Sequence, residues 1–295
     1  MRISIIGIGR LGGALALAFS KKGYAVENLV ARDRRTARWI EPLISPPPAI
    51  LSPEDAGKIS SEVVFITTQD GEISGAAGDL AEKLNHRPVV YHTSGSLSSE
   101  ILKPLRDKGC PTGSIHPLVS VSDPALGAGR FPGAFFCIEA ASEKATAIAE
   151  KLVADLGGRP FSIETGSKAL YHASAVAACG HLVALIDISV EMLSDCGLTE
   201  ADARRILLPL IESTVENLNR QTPAQALTGT FARADVDTFE RHLAAIEKLG
   251  SPEILAIYLQ LGERSLHLAE EQNADREKLE KLRKKISLAK KNLRC

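Results

Sequence analysis

The chain opens on an apolar run, Ile3-Ser4-Ile5-Ile6, followed at once by Gly7-Ile8-Gly9-Arg10-Leu11-Gly12. Glycines at this spacing, between a strand and an apolar helix, let a backbone wrap a diphosphate. Gly7 makes the tight turn, Gly9 admits the pyrophosphate, and Gly12 lets helix and strand pack closely. The helix N-terminus, with Arg10 and Leu11 in its first turn, offers unpaired N–H groups and a positive dipole end to an anion. In sites that grip a ribose 2′-OH, an acidic residue is expected about 20 residues on. Counting from Gly12 reaches Ala31-Arg32 instead. Arg32, with Arg34 or Arg35, suits a 2′-phosphate and hence NADP(H). If the strand runs further, Asp33 becomes the ribose acid and the cofactor is NAD.

Three further groups carry reactive side chains. Thr93-Ser94-Gly95-Ser96 and His116-Pro117 each follow an apolar strand-like run. Strand ends of this kind border the ligand crevice of an open parallel sheet. Ser94, Ser96 and His116 are therefore candidate substrate-lining residues. Ser94 also stands with Thr67 and Thr68 as a candidate cofactor contact. Lys168 and His172 lie four residues apart and share one helical face, with Tyr171 on the adjacent face. An acid or fixed positive charge at that place suits the negative charge that grows during hydride transfer to a carbonyl. The competing readings are a satisfied core histidine at 116 and a solvated helix start at 168–172.

Strands are expected at Ile3–Ile6, Ala25–Val30, Val63–Thr67, Val89–His92, Gly113–His116, Ala134–Ile138 and Phe161–Ile163. Helices are expected between them, at Leu11–Lys22, Ala76–Leu84, Ser99–Lys108 and Glu143–Leu156. This alternation predicts a doubly wound parallel sheet, an α/β Rossmann domain over residues 1–164. Pro46-Pro47-Pro48 reads as a surface loop. From residue 165 the strand signal ends, and an all-α domain is expected over residues 165–295. Thr165–Ser194 reads as one helix, with Ala173–Val190 as a core helix rather than a membrane span. Thr199 caps a second helix, in which Pro209 should make a kink. A short helix lies near Pro223, and Gly250 closes a helix over Val236–Leu249. Ser251-Pro252 opens another. The tail 276–294 carries Leu279, Leu282, Ile286, Ala289 and Leu293 as an apolar stripe on a basic helix. That stripe should dock on its own domain or on a partner subunit.

The 295 residues carry a formal net charge of −1, which gives no whole-chain attraction to nucleic acid or an anionic membrane. The five cysteines form no Cys-x-x-Cys pair and no zinc spacing, so no metal is expected. Their scatter, and a start that goes directly into a strand, suit a cytoplasmic protein.

The chain resembles bacterial Rossmann-like NADP oxidoreductases whose helical C-terminal domain is of unknown function. The resemblance rests on Gly7–Gly12, Ser94-Gly95-Ser96, Ser114-Ile115-His116-Pro117-Leu118, Lys168-Ala169-Leu170-Tyr171-His172-Ala173 and Leu227–Asp235 with His242. The chain departs from that pattern at Gly180 (Asn in the family), Thr230 (Pro) and Ala234 (Gly). It is similar in layout to β-hydroxyacid dehydrogenases, ketopantoate reductase, prephenate dehydrogenase and pyrroline-5-carboxylate reductase. In the hydroxyacid dehydrogenases a catalytic Lys opens the interdomain helix, and Lys168 matches it, with His172 in the place of an Asn. The resemblance implies an NADP(H)-dependent oxidoreductase acting on a small carbonyl or hydroxy compound that bears a carboxylate. Arg233 is then the candidate anchor for the anionic group, and a homodimer through the helical domain is expected. The alternatives are an imine reductase and a non-catalytic NADPH-binding sensor or scaffold.

Overall fold

A computed structural model describes residues 1–293; Arg294 and Cys295, at the end of the expected tail, lie outside the described residues. The chain divides into two compact units, one ending at Leu182 and the other starting at Val183.

The first unit is built on one eight-stranded sheet in the order β3-β2-β1-β4-β5-β6-β7-β8. The strands are β1 (Arg2–Ile6), β2 (Ala25–Val30), β3 (Ala49–Leu51), β4 (Val63–Ile66), β5 (Val89–His92), β6 (Thr112–Pro117), β7 (Phe135–Ala140) and β8 (Arg159–Phe161). Strands β1, β4 and β5 are apolar on both faces because the sheet is covered on both sides. One face meets α1 (Arg10–Lys21) and α6 (Glu143–Asp155), where Phe19, Phe65 and Tyr91 stack in sequence. The other meets α3 (Asp70–Lys83) through Ile73, Ala77 and Leu80. Shorter helices α2 (Arg34–Arg38), α4 (Lys103–Asp107) and α5 (Pro124–Ala128) complete this part.

The expected doubly wound sheet is present, with three differences, the first being that the last strand covers Arg159–Phe161 rather than Phe161–Ile163. Strand β3, paired in parallel with Asn28–Val30, occupies residues just after the proline run, where no strand was expected. Three residues are too few for a period to show. Strand β7 runs antiparallel to β6, so the sheet is mostly rather than wholly parallel. The connection between them lays α5 against α1 instead of crossing the sheet.

The expected single helix Thr165–Ser194 is interrupted. After a 3-10 turn, α7 (Lys168–Ala178) and α8 (Gly180–Ser194) meet at Cys179, whose φ of −117° departs from the usual helical value. Gly180, a weak helix former, follows the break. The reading of Ala173–Val190 as a core helix is corrected. Within that stretch only Val190 is buried, and Leu182, Val183 and Leu185 are exposed. Thr165–Ser194 is also, by length and composition, apolar enough to cross a membrane. Its apolar character serves neither hydrophobic core of the first unit.

The second unit continues with α9 (Glu200–Leu218), α10 (Pro223–Ala226), α11 (Gly229–Ala232), α12 (Val236–Leu249), α13 (Pro252–Glu271) and α14 (Arg276–Asn292). Its caps are the expected ones. Thr199 Oγ1 accepts from the Asp202 amide at 3.2 Å, Ser251 caps α13 with Pro252 at its first position, and Gly250 adopts φ +77°. The core joins α12, α13 and α14 through Phe239, Ile246, Leu259 and Leu266. The tail stripe docks here, with Leu279, Leu282, Ile286 and Ala289 all buried, and Lys290 reaches Glu263 at 2.5 Å. By contrast α9 buries only Ala203, while Ile206, Leu208, Leu210, Val215 and Leu218 are exposed.

Candidate functional site

Functional side chains collect along the carboxyl edge of the sheet, in the loops after β1, β4, β5 and β6. Gly7 adopts φ +93°, a conformation open to glycine, and its N–H donates to the Val30 carbonyl at 2.9 Å. Thr67 Oγ1 donates to the Gly7 carbonyl at 2.5 Å and fixes the turn. A Cβ at Gly12 would collide with the Gly7 carbonyl oxygen and Thr67 Oγ1. A Cβ at Gly9 would meet nothing within 4 Å. Gly12 therefore serves packing, and Gly9 keeps an open approach to the start of α1. Gly9 caps α1 with no side-chain hydrogen bond, so the first-turn N–H groups stay available. Arg10 is exposed there, and Leu11 packs on the core.

Beside this turn lies a cavity of about 640 Å³, walled by Gly7–Gly9, Ala31-Arg32-Asp33, Thr67-Thr68-Gln69 and residues of α3. Arg32 stands in its wall and pairs with Glu72. Asp33 is otherwise engaged. It caps α2 through the Arg35 amide at 2.9 Å and binds the Arg35 guanidinium at 2.8 Å. Those bonds hold its carboxyl below the usual range. Strand β2 ends at Val30, so the position after it belongs to Ala31-Arg32 and Asp33 belongs to the next helix. Arg35 turns to Asp33 rather than into the cavity. Thr68 Oγ1 is buried without a hydrogen-bond partner among the described residues. An orphaned hydroxyl, an uncapped helix start and a guanidinium at the end of β2 fit a phosphorylated dinucleotide.

Further along the edge, Ser94 and Ser96 both donate to Asp70 Oδ2, at 2.8 and 2.7 Å. Ser94 Oγ also accepts from the Ser96 and Leu97 amides, at 3.2 and 3.1 Å. Ser94 thus folds its own loop, while Ser96 is half-buried. Sequence reasoning missed Asp70, whose role depends on a contact 24 residues away. His92 is fully buried. Its Nδ1 accepts from the Ser94 amide at 3.1 Å, so its Nε2–H donates to the Ser98 carbonyl at 3.2 Å. Burial, then the Lys168 charge, pushes its pKa down to about 4.

The structure brings His116 and His172 together over Gly95. A Cβ at Gly95 would lie 2.6 Å from His172 Cδ2 and 2.9 Å from His116 Nε2. The two rings meet edge to face, with centroids 5.7 Å apart. His116 Nδ1 lies 2.7 Å from the Tyr171 hydroxyl. Burial, His172 and Lys168 together push the His116 pKa down to about 4.

Lys168 was expected to share one helical face with His172 at a cleft. Instead it is 2% exposed. Its ammonium donates to Ser114 Oγ at 2.6 Å and pairs with Glu139 Oε2 at 3.2 Å. Glu139 Oε1 accepts from the Ser99 amide and hydroxyl, at 3.1 and 3.0 Å. A buried charge needs such partners. The clue to Glu139 was a lone acid in the apolar strand Phe-Phe-Cys-Ile-Glu-Ala. Arg233 lies in the second unit, exposed at the end of α11. Among the described residues no group of His, Cys, Asp and Glu has metal-holding geometry.

The chain matches the model of a Rossmann-like domain over residues 1–117 and that of a domain of unknown function, DUF2520, over residues 134–265. This pairing is the one the sequence resemblance implied. No curated protein matches the sequence. Among solved structures, a Bacteroides fragilis protein described as a candidate NADP oxidoreductase is similar at TM-score 0.73 and 22% identity, over 90% of this chain and 97% of that one. A Thermotoga maritima protein is similar at TM-score 0.70 and 25% identity, over 92% and 99%. Pyrroline carboxylate reductase of Plasmodium falciparum, solved with NADP bound, shares the fold at TM-score 0.58 and 11% identity, over 91% and 98%.

Proposed function

For a chain that joins a Rossmann-like domain to a DUF2520 domain, we propose an NADP(H)-dependent oxidoreductase acting on a small carbonyl or hydroxy compound. One observation carries the reading: the Gly7–Gly12 cradle and the His116–His172 pair share one edge of one sheet, the edge where such folds bind ligands. The names of the Bacteroides and Plasmodium proteins support the cofactor. When bound, the nicotinamide supplies or accepts the hydride. The chain does the rest. Gly9 and the first turn of α1 bind the diphosphate, and Arg32 pairs with the 2′-phosphate. His116 offers a hydrogen bond to the reacting oxygen, and His172 orients the substrate across Gly95. Lys168, shut away from solvent and held by Ser114 and Glu139, is a fixed positive charge that stabilises developing negative charge.

A cyclic imine is the second reading. His116 is neutral at neutral pH and the Lys168 charge is offset by Glu139, so this end of the site does not repel an iminium. The test is a screen of NADPH oxidation and NADP reduction across keto acids, hydroxy acids, aldehydes and cyclic imines. Tight NADPH binding with no turnover on any of them would favour a sensor or scaffold.

We also propose a homodimer through the helical region. Leu182, Val183 and Leu185 of α8 and Ile206, Leu210 and Leu218 of α9 are exposed in the single chain. So much apolar surface marks an association site. The helices also carry Asp187, Glu191, Arg204, Arg205, Glu212 and Glu216, which suit a second protein copy better than lipid.

A further inference from the structure

We propose that Tyr171 is a positioning residue that holds His116 as the Nε2–H tautomer, so that the site presents a hydrogen-bond donor to the lone pair of a carbonyl or imine. The inference rests on the oxidoreductase reading for its consequence, though not for its geometry.

The Tyr171 hydroxyl and His116 Nδ1 are 2.7 Å apart. Two arrangements satisfy that distance. Either Tyr171 donates and Nε2 carries the imidazole proton, or Nδ1 donates and Nε2 is left as a lone pair. In a neutral histidine the bond made by one nitrogen decides the state of the other. Two observations select the first arrangement. Burial pushes the Tyr171 hydroxyl upward, so it keeps its proton. Among the described residues, His116 Nδ1 is the one group in hydrogen-bonding geometry with that hydroxyl, so a donating Nδ1–H would leave the hydroxyl proton without an acceptor there.

The scaffold around the pair is rigid. Tyr171 packs edge to face on Phe161, with centroids 5.9 Å apart. One helical turn earlier, Lys168 ties the same helix to β6 and β7 through Ser114 and Glu139. His116 Nε2 has no partner among the described residues and faces the surface of Gly95. His92 shows the same tautomer fixed by different means, with a backbone N–H on its Nδ1.

A neutral imidazole bearing Nε2–H polarises a carbonyl without becoming charged. The opposite tautomer would present a base to a hydroxyl group. Tyr171 therefore sets which partner the site prefers: an acceptor atom, as in a ketone, aldehyde or imine, over a hydroxyl donor.

The test is long-range proton–nitrogen NMR on the ¹⁵N-labelled full chain near pH 7, without cofactor. The His116 signals are identified by their loss in His116→Gln. The expected result is an unprotonated Nδ1 and a protonated Nε2. Tyr171→Phe keeps the ring packing and removes the donor, so both nitrogens should move to averaged shifts. On any substrate found by the screen, kcat should fall roughly tenfold, the worth of one hydrogen bond, with the KM for NADPH unchanged. A protonated Nδ1 in the unmodified protein overturns the proposal even if Tyr171→Phe does not fold. An unchanged tautomer in folded Tyr171→Phe overturns it as well. Failure to bind NADPH would defeat the oxidoreductase reading instead, and the tautomer would still be measurable.

Discussion

Lys168, the first residue of α7, and Glu139, on the antiparallel strand β7, face each other at 3.2 Å inside the first unit. Removing one partner strands the other charge. Lys168→Met should cost about 3–5 kcal/mol of stability. Adding Glu139→Gln should recover most of that loss, because the remaining amide can still accept from Ser99. Denaturant unfolding of the three proteins reads this directly. Turnover of the refitted pair should stay down by roughly 10²-fold, because the fixed charge is gone. Full activity in that double variant would remove Lys168 from the mechanism.

The two glycines of the cradle should respond differently to substitution. Gly9→Val places a side chain into open space, so the chain should fold normally and lose NADPH binding. Gly12→Ala drives its methyl into the Gly7 carbonyl oxygen and Thr67 Oγ1, so it should damage folding itself. Melting curves and NADPH titrations of both variants separate the outcomes. Unchanged NADPH affinity in Gly9→Val would defeat the assignment of the cradle.

Arg32→Ala should weaken NADPH by about 1.5–3 kcal/mol, the range for hydrogen bonds to charged groups, and leave NADH nearly untouched. Arg35→Ala should do less, since Arg32 lines the cavity and Arg35 does not. Equal losses for both cofactors in Arg32→Ala would show that it does not read the 2′-phosphate. A calorimetric titration with each nucleotide decides the matter.

Much of this was legible because it is local. The glycine spacing, the caps at Thr199 and Ser251, and the stop at Gly250 each depend on a few neighbouring residues. The tail stripe was visible too, though not which surface it would cover. The rest hangs on long-range contacts. His116 and Tyr171 are 55 residues apart, and Ser94 finds Asp70 across 24. The Lys168–His172 spacing correctly placed both on α7, yet helical spacing says nothing about which of the two the sheet will enclose. Strand β7 had the right composition, but direction is set by its connection and leaves no trace in alternation.

Acid should loosen the first unit through its buried histidines. His92 and His116 have folded pKa values of about 4 against 6.5 for an unperturbed histidine. Between those limits the unfolded chain binds more protons than the folded one, so stability rises with pH and is lost as pH falls from 6.5 towards 4. Each histidine should contribute roughly 3 kcal/mol across that window. Urea midpoints measured from pH 7 down to 4.5 should fall steadily, and His116→Gln should flatten part of the slope. A midpoint that is flat over this range would mean that neither imidazole is shielded from water.

The uncovered sides of α8 and α9 bear on how the second unit behaves on dilution. Its compact core gathers α12, α13 and α14, whereas α9 contributes a single buried side chain to the interior. A segment that finds its cover on another copy obeys mass action, so its melting temperature climbs with protein concentration. The first unit has two complete cores of its own and should depend far less on it. A dilution series should therefore resolve two transitions, one that drifts with concentration and one that stays in place.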